Sequence, residues 1–241
     1  MKIEKRDNMK KLGIIFALKE ELDETKKLFK SINEHYIYEL VIYECINDGV
    51  TCFLVESGMG KVNAARSTQI LIDNMKVDFV LNVGVAGSVA RNINKCDIVV
   101  ADRLVQHDFD LRPLGFEKGE TNNAGKYIYC DKRLVQIVKT LKIETKIEVG
   151  VISSGDIFVT DEKMGEKINK KFNALCVEME GAAVAQVCYL CKVPFLVIRA
   201  ISDSPYENDN NITFEEFLKI SSDIVSKFVK KFIKKLSKYC F

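Results

Sequence analysis

The sequence predicts a single α/β domain, a central twisted, mixed β-sheet flanked by helices on both faces. Short, near-continuous apolar runs such as LGIIFA at 12–17 and DFVLNVG at 78–84 have the character of strands covered on both sides. Longer segments between such runs repeat their apolar residues every three or four positions, the period of a helix with one buried face, and regular alternation of the two types marks an α/β chain. The scale agrees: 241 residues, 47% of them hydrophobic and 29% charged, are enough for one large core and lie outside disordered composition.

The first strand leads into a helix with Leu18, Leu22, Leu28, Phe29 and Ile32 on one face, and Glu20 and Glu21 stand at the junction. YIYELVIYECI at 36–46 and VTCFLVES at 50–57 flank Asn47-Asp48-Gly49, a hairpin signal. Gly58 and Gly60 then break the chain before a helix over 62–75. DIVVADRLV at 97–105, KIEVGVISS at 146–154 and VPFLVIRAIS at 193–202 read as further strands, and helices are predicted over 131–141, 161–171, 180–191 and 213–238. The last helix puts Phe217, Ile224, Phe228, Phe232 and Leu236 on one side, and its lysines read as a solvated face rather than a binding patch. Residues 107–126 lack a clear period and form a candidate functional loop.

Lys+Arg number 36 against 34 Asp+Glu, a net charge of +2, which removes the field that would draw nucleic acid or an anionic membrane surface. The eight cysteines are scattered without a disulfide framework, as expected of reduced thiols in a cytoplasmic protein. Cys188 and Cys191 form a C-x-x-C in an apolar helical run; with no second Cys or His pair nearby, two packed core thiols are favoured over a redox or metal pair. There is no signal-peptide pattern and no run long enough to span a bilayer. Met9 can serve as a start, so residues 1–9 read as a disordered extension and 10–241 as the domain.

In open α/β sheets ligands bind beyond the carboxyl ends of strands, which singles out four places. Ala17-Leu18-Lys19-Glu20-Glu21 follows the first strand. Gly84-Val85-Ala86-Gly87-Ser88 follows another and reads equally well as a tight turn or as a close backbone approach to a ligand; the dinucleotide G-x-G-x-x-G is missing. Val177-Glu178-Met179-Glu180-Gly181 carries two carboxylates, expected here on opposite faces of an extended chain, though acids at a helix N-terminus account for the pattern slightly better. Arg199-Ala200-Ile201-Ser202-Asp203 closes a very hydrophobic strand with charges that are either a structural ion pair or a site.

Taken together with SGMGKVNAA (57–65), HDFD (107–110), SSGDIFV (153–159) and TFEEF (213–217), these segments resemble the nucleoside phosphorylase and nucleosidase superfamily, and within it the 5′-methylthioadenosine/S-adenosylhomocysteine nucleosidases. The resemblance implies a nucleoside phosphorylase-like fold and hydrolysis of an N-glycosidic bond between adenine and a 5′-thio-substituted ribose. A small-molecule nucleoside and water are the reactants, with no cofactor and no metal.

Residue by residue, it assigns Asp203 as the general acid that protonates the purine N7, with Ser202 helping it hold a proton. Glu21 becomes the carboxylate that orients and deprotonates water, with Arg199 beside it. Glu180 would hold the ribose hydroxyls and Met179 pack on the sugar. Phe158 would stack on the purine, and the backbone at Val159, Ala86 and Gly87 would meet its edge and face. Glu178 is read as structural. Met59 and Phe214 would contact the sugar and thioalkyl tail, and Leu111, Leu114 and Phe116 would complete that pocket from the second subunit of a homodimer.

Val85 stands where such nucleosidases often have Ser or Thr, and the 111–116 loop departs from the family's VTAFGY type. A carboxylate at Glu21 where phosphorylases bind phosphate favours hydrolysis over phosphorolysis. The competing expectations are a different 5′ group on the substrate, such as aminodeoxyfutalosine or plain adenosine, and a non-catalytic nucleoside sensor.

Overall fold

The computed structural model describes residues 9–203 and 214–239, apart from the side chains of 214–217. The expected extension lies almost wholly outside these residues, as do the side chains of Phe214 and Phe217 and the residue Cys240.

Ten strands and six α-helices are formed among the described residues: β1 (Lys10–Phe16), α1 (Lys19–Lys26), β2 (Ile32–Ile37), β3 (Leu40–Asn47), β4 (Val50–Glu56), α2 (Lys61–Ile70), β5 (Phe79–Ser88), β6 (Ile98–Gln106), β7 (Ile128–Tyr129), α3 (Lys132–Lys139), β8 (Ile147–Ser154), α4 (Glu162–Phe172), β9 (Ala174–Glu178), α5 (Gly181–Cys191), β10 (Phe195–Asp203) and α6 (Phe214–Leu236). They form the single-domain α/β architecture with a mixed sheet that the sequence predicts. The order β10-β6-β8-β9-β5-β1-β4-β3-β2 has one further feature: β10 also pairs with β5, so β5, β9, β8, β6 and β10 close into a ring. Closure removes two open edges, and β5 and β10 lie side by side in parallel with their carboxyl ends together. Helices α1, α3 and α6 cover one flank, and α2 packs with α5 on another.

Several local expectations are corrected. The helix after β1 stops at Lys26; Leu28 and Phe29 follow it, and Ile32 opens β2. The 36–46 run is two strands, because the chain reverses at Tyr38 and Glu39 without any turn-forming residue. Tyr38 takes a left-handed φ of 53°, and Arg66 of α2 holds the turn by pairing with Glu39 and lying over the Tyr38 ring. The Asn47-Asp48-Gly49 hairpin forms as expected, with φ of 49° at Asp48 and 78° at Gly49. The helix expected over 62–75 leaves α geometry after Ile70 in one π turn, Leu71–Met75.

Residues 84–88 are strand rather than turn, since β5 continues through Ser88, paired to β10 and, at its tip, to β9. Cys188 is a core thiol, but Cys191 is only half-buried at the last residue of α5, where its thiol faces Gln69. Three positions along a helix leave room for one thiol under the sheet and the next at its rim. On α6, Phe228, Phe232 and Leu236 are buried and Ile224 half-buried, while Lys227, Lys230, Lys231, Lys234 and Lys235 face water.

Candidate active site

The carboxyl ends of β1, β5, β9 and β10 open onto a cleft of about 380 Å³, a size suited to a nucleoside. Glu21 enters it from the third position of α1, whose start directly follows β1. Its side chain is buried and accepts three amides: Ala17 N–H at 3.2 Å and Leu18 N–H at 3.1 Å on Oε2, and Val85 N–H at 3.0 Å on Oε1. Burial outweighs the Arg199 charge and these amides and pushes Glu21 up to about 7. Gly84 makes the position possible, because a Cβ there would lie 2.9 Å from Glu21 Oε1.

Arg199 lies at the centre. It is the largest fully buried side chain among the described residues and stays cationic despite burial, because Glu178, Glu180 and Glu21 surround it. It hydrogen-bonds to Glu178 and, at 2.6 Å, to Asn82 Oδ1, with Glu180 Oε2 3.8 Å away. Glu178 also caps α5. Its Oε2 accepts the amides of Glu180 at 3.1 Å and Gly181 at 2.7 Å, its Oε1 accepts the Ser154 hydroxyl, and that hydroxyl in turn accepts Ala182 N–H at 2.7 Å.

The two carboxylates therefore do not point to opposite faces. Positions two apart share one face of an extended chain, and Glu180, at the non-helical start of α5 (φ −129°, ψ −42°), sends its side chain to the same cleft, where Gly60 N–H donates to its Oε1 at 2.8 Å. Burial first, then the Glu178 charge, raise the Glu180 carboxyl above its ordinary range.

Asp203 ends β10. The register against β5 shifts between Ile201 and Asp203, a bulge that sets Asp203 against Gly87. A Cβ at Gly87 would stand 2.8 Å from Asp203 Oδ2. The Ser202 hydroxyl lies 2.7 Å from Asp203 Oδ1 and 3.4 Å from Ala86 O. It can donate to the carboxylate, or donate to Ala86 and accept from the acid.

Once these distances are set beside known proteins the family is plain. Residues 11–234 match the phosphorylase superfamily. The chain is 38% identical over 215 residues to a 5′-methylthioadenosine/S-adenosylhomocysteine nucleosidase of Haemophilus influenzae (strain PittEE), covering 88% of this chain and 93% of that one. The chain belongs to this nucleosidase family. Among solved structures, a nucleosidase of the same name from Helicobacter pylori, holding butyl-thio-DADMe-Immucillin-A, is similar with a TM-score of 0.89 and 33% identity, covering 95% of this chain and 99% of that one. A futalosine hydrolase of Helicobacter pylori strain 26695 is similar too, with a TM-score of 0.88 and 33% identity over 94% and 98% of the two chains.

Of the residues the family resemblance singled out, Glu21, Arg199, Asp203, Glu180, Met179, Phe158, Val159, Ala86, Gly87, Met59 and Ser202 all line this one cleft or, for Met59 and Phe158, its mouth. Leu111, Leu114 and Phe116 do not line it within one chain, and the Phe214 side chain lies outside the described residues. Among the contributors to which sequence reasoning gave no site role are Asn82, Glu178 and Leu18. Asn82, a lone amide in the apolar run DFVLNVG, was the visible signal for a partner of Arg199. Glu178 was read as structural, yet it also lines the cleft. Leu18, whose amide donates to Glu21, lines it as well.

Proposed function

We propose that the protein hydrolyses the N-glycosidic bond of 5′-methylthioadenosine and S-adenosylhomocysteine to adenine and the 5-thio-substituted ribose, using water and no cofactor. One observation carries the reading: three elements, α1, the start of α5 and β10, bring Glu21, Glu180, Arg199 and Asp203 to a single nucleoside-sized cleft. A protein that only bound a nucleoside would need neither a buried base nor an acid.

The chemistry follows from where each group sits. Asp203 gives a proton to the purine N7 so that adenine leaves neutral, and the Ser202 hydroxyl follows the change by turning from acceptor to donor. Glu21, titrating near 7, is matched to take a proton from water at neutral pH as that water adds to the anomeric carbon. Glu180 holds the ribose hydroxyls and Met179 packs on the sugar. The carboxylates on that side stabilise the oxocarbenium-like sugar of the transition state. Phe158 covers the base, whose edge meets the backbone of Val159, Ala86 and Gly87. Arg199 does not face the substrate alone; it neutralises the carboxylates that do.

The working form in this reading is a cytoplasmic homodimer. Met59 and Phe158 at the cleft mouth are 61% and 66% exposed and Leu114, off the cleft, is 72% exposed, apolar surface that a second copy would cover. Leu111, Leu114 and Phe116 of a second copy would supply that cover, and with Met59 and Phe214 they would form a mostly apolar pocket for the thioalkyl tail. No helix of the described residues is long and apolar enough to cross a membrane.

The test is to incubate the purified protein with methylthioadenosine, adenosine and aminodeoxyfutalosine, with and without phosphate, and to measure free adenine and the sugar product. Hydrolysis of methylthioadenosine, unchanged by phosphate and favoured over adenosine by roughly ten- to several-hundred-fold in kcat/KM, is expected. A ribose 1-phosphate product would move the chain among the phosphorylases. Dominant cleavage of aminodeoxyfutalosine would bring it to the second reading, which the likeness to the futalosine hydrolase supports.

A further inference from the structure

Lys61, the first residue of α2, has no contact with the cleft yet joins three segments that shape it. Its Nζ donates to Asp108 Oδ1 at 2.8 Å and to Gln106 Oε1 at 3.0 Å, and lies 3.9 Å from Asp156 Oδ2. Its own amide donates to Asp156 Oδ1 at 2.8 Å, and Asp108 Oδ2 accepts the Asp156 amide at 2.9 Å. Both ends of the Lys61–Asp108 pair are mostly shielded from water, and the bond to Lys61 and the Asp156 amide outweigh burial to hold Asp108 below its ordinary carboxylate range.

The residues on either side of this junction are those of the site. Gly60, immediately before Lys61, gives Glu180 its amide and holds a φ of 94°, which a side chain would resist. Ile157 and Phe158, immediately after Asp156, form part of the cleft wall.

We propose that Lys61 is a positioning residue: by locking the 57–61 turn to the 155–158 loop through Asp108, it sets the Gly60 amide on Glu180 and the Phe158 ring over the base. The inference rests on the nucleosidase reading for the roles of Glu180 and Phe158. Losing the lock displaces both by a fraction of an ångström to an ångström, enough to weaken nucleoside and adenine binding without removing any group that moves a proton.

The experiment compares the parent with Lys61→Met and Lys61→Arg, and with Asp108→Asn should Lys61→Met fail to fold. Thermal unfolding, kcat, KM for methylthioadenosine and the inhibition constant of free adenine are measured, with hydrogen exchange followed at 57–61 and 155–158. Folded Lys61→Met is expected to lose about 10²-fold in kcat/KM, most of it in KM, with adenine inhibition weakened in parallel and faster exchange in both segments. Lys61→Arg, which keeps a cation for Asp108, should recover most of the loss, and Asp108→Asn should show the same pattern at smaller size. A Lys61→Met protein with parental KM, adenine inhibition and exchange would overturn the proposal, as would loss confined to kcat through a smaller active fraction. A parent that releases no adenine sinks the nucleosidase reading instead, and the exchange measurement alone then decides whether Lys61 locks the two segments.

Discussion

The inner end of the cleft and its mouth are built by opposite rules. At the inner end, Glu21 accepts three backbone amides, Glu178 two amides, a hydroxyl and a guanidinium, and Arg199 is buried among carboxylates from α1, β9 and the start of α5. No oxygen of Glu21 or Glu178 can rotate without losing bonds. At the mouth, Met59 and Phe158 are mostly exposed, and the 111–116 segment, with an exposed Leu114, lies off the cleft altogether. The proton chemistry is thus fixed in advance within one chain, where reorganisation would cost most. On the proposed reading, selection of the substrate's tail is left to surfaces that a second copy would complete.

The sharpest break of the inner end is Asp203→Asn. It keeps the shape and one acceptor, so the fold and nucleoside binding persist, but it removes the ionisable proton. Turnover is expected to fall by ~10²- to 10⁴-fold, measured as adenine release by a variant with parental thermal unfolding. Activity within about threefold of the parent would take the acid role from Asp203.

Glu21 tests the same end through pH. Its carboxyl, raised from 4.5 to about 7, must be unprotonated to act as base, so kcat/KM should climb with pH up to about 7 and then level. Glu21→Gln should remove that rise together with most of the activity. Stability runs the other way. The folded protein keeps a proton on Glu21 that the unfolded chain releases, so this group's contribution to stability is largest below the ordinary carboxylate range and is lost as pH rises to about 7. A parent whose unfolding temperature rises over that interval, with Glu21→Gln no flatter, would contradict the buried setting of this carboxyl.

Gly87→Ala separates geometry from charge. The added Cβ would stand 2.8 Å from Asp203 Oδ2, too close to leave the acid in place, while φ at Gly87 is not in the left-handed region and the strand can keep its path. A displacement of this order is expected to cost about 10²-fold in kcat. A parental kcat in the folded variant would show that Asp203 need not sit against Gly87.

The comparison also explains what the sequence could reveal. Glu21, Arg199 and Asp203 were legible because charges that close long apolar runs are costly unless employed, and the order of motifs supplied the family. The sheet's pieces were legible for the same reason, from apolar period. Its closure through β10 and β5 was not, since pairing between strands over a hundred positions apart leaves no local mark. The opposite-face expectation for Glu178 and Glu180 was mistaken at the outset, since side chains two positions apart share one face of an extended chain. Residues 84–88 read equally as a turn or as a close backbone approach because small residues serve either purpose; here Gly84 and Gly87 make room for Glu21 and Asp203 inside a strand. The Tyr38 reversal carries no turn residue at all, being held from outside by Arg66.

The mouth gives the smallest expected effect and the most informative one about assembly. Leu114 closes a short 3₁₀ turn, Arg112–Leu114, and shows 72% of its surface to water in one chain, so a charge there has no reason to disturb the monomer's core. If Leu114 instead meets the cleft of a second copy, Leu114→Glu places a carboxylate in an apolar contact, which disfavours the pair. Sedimentation or light scattering should then show the variant shifting from dimer towards monomer at concentrations where the parent is dimeric. KM for methylthioadenosine should rise by roughly tenfold as the thioalkyl tail loses its cover, while KM for adenosine, which has no such tail, should move far less. Parallel losses on both substrates would mean that the dimer supports the inner end as well. A monomeric parent with full activity would show that one chain closes its own mouth, and the division of labour between the two ends would fall.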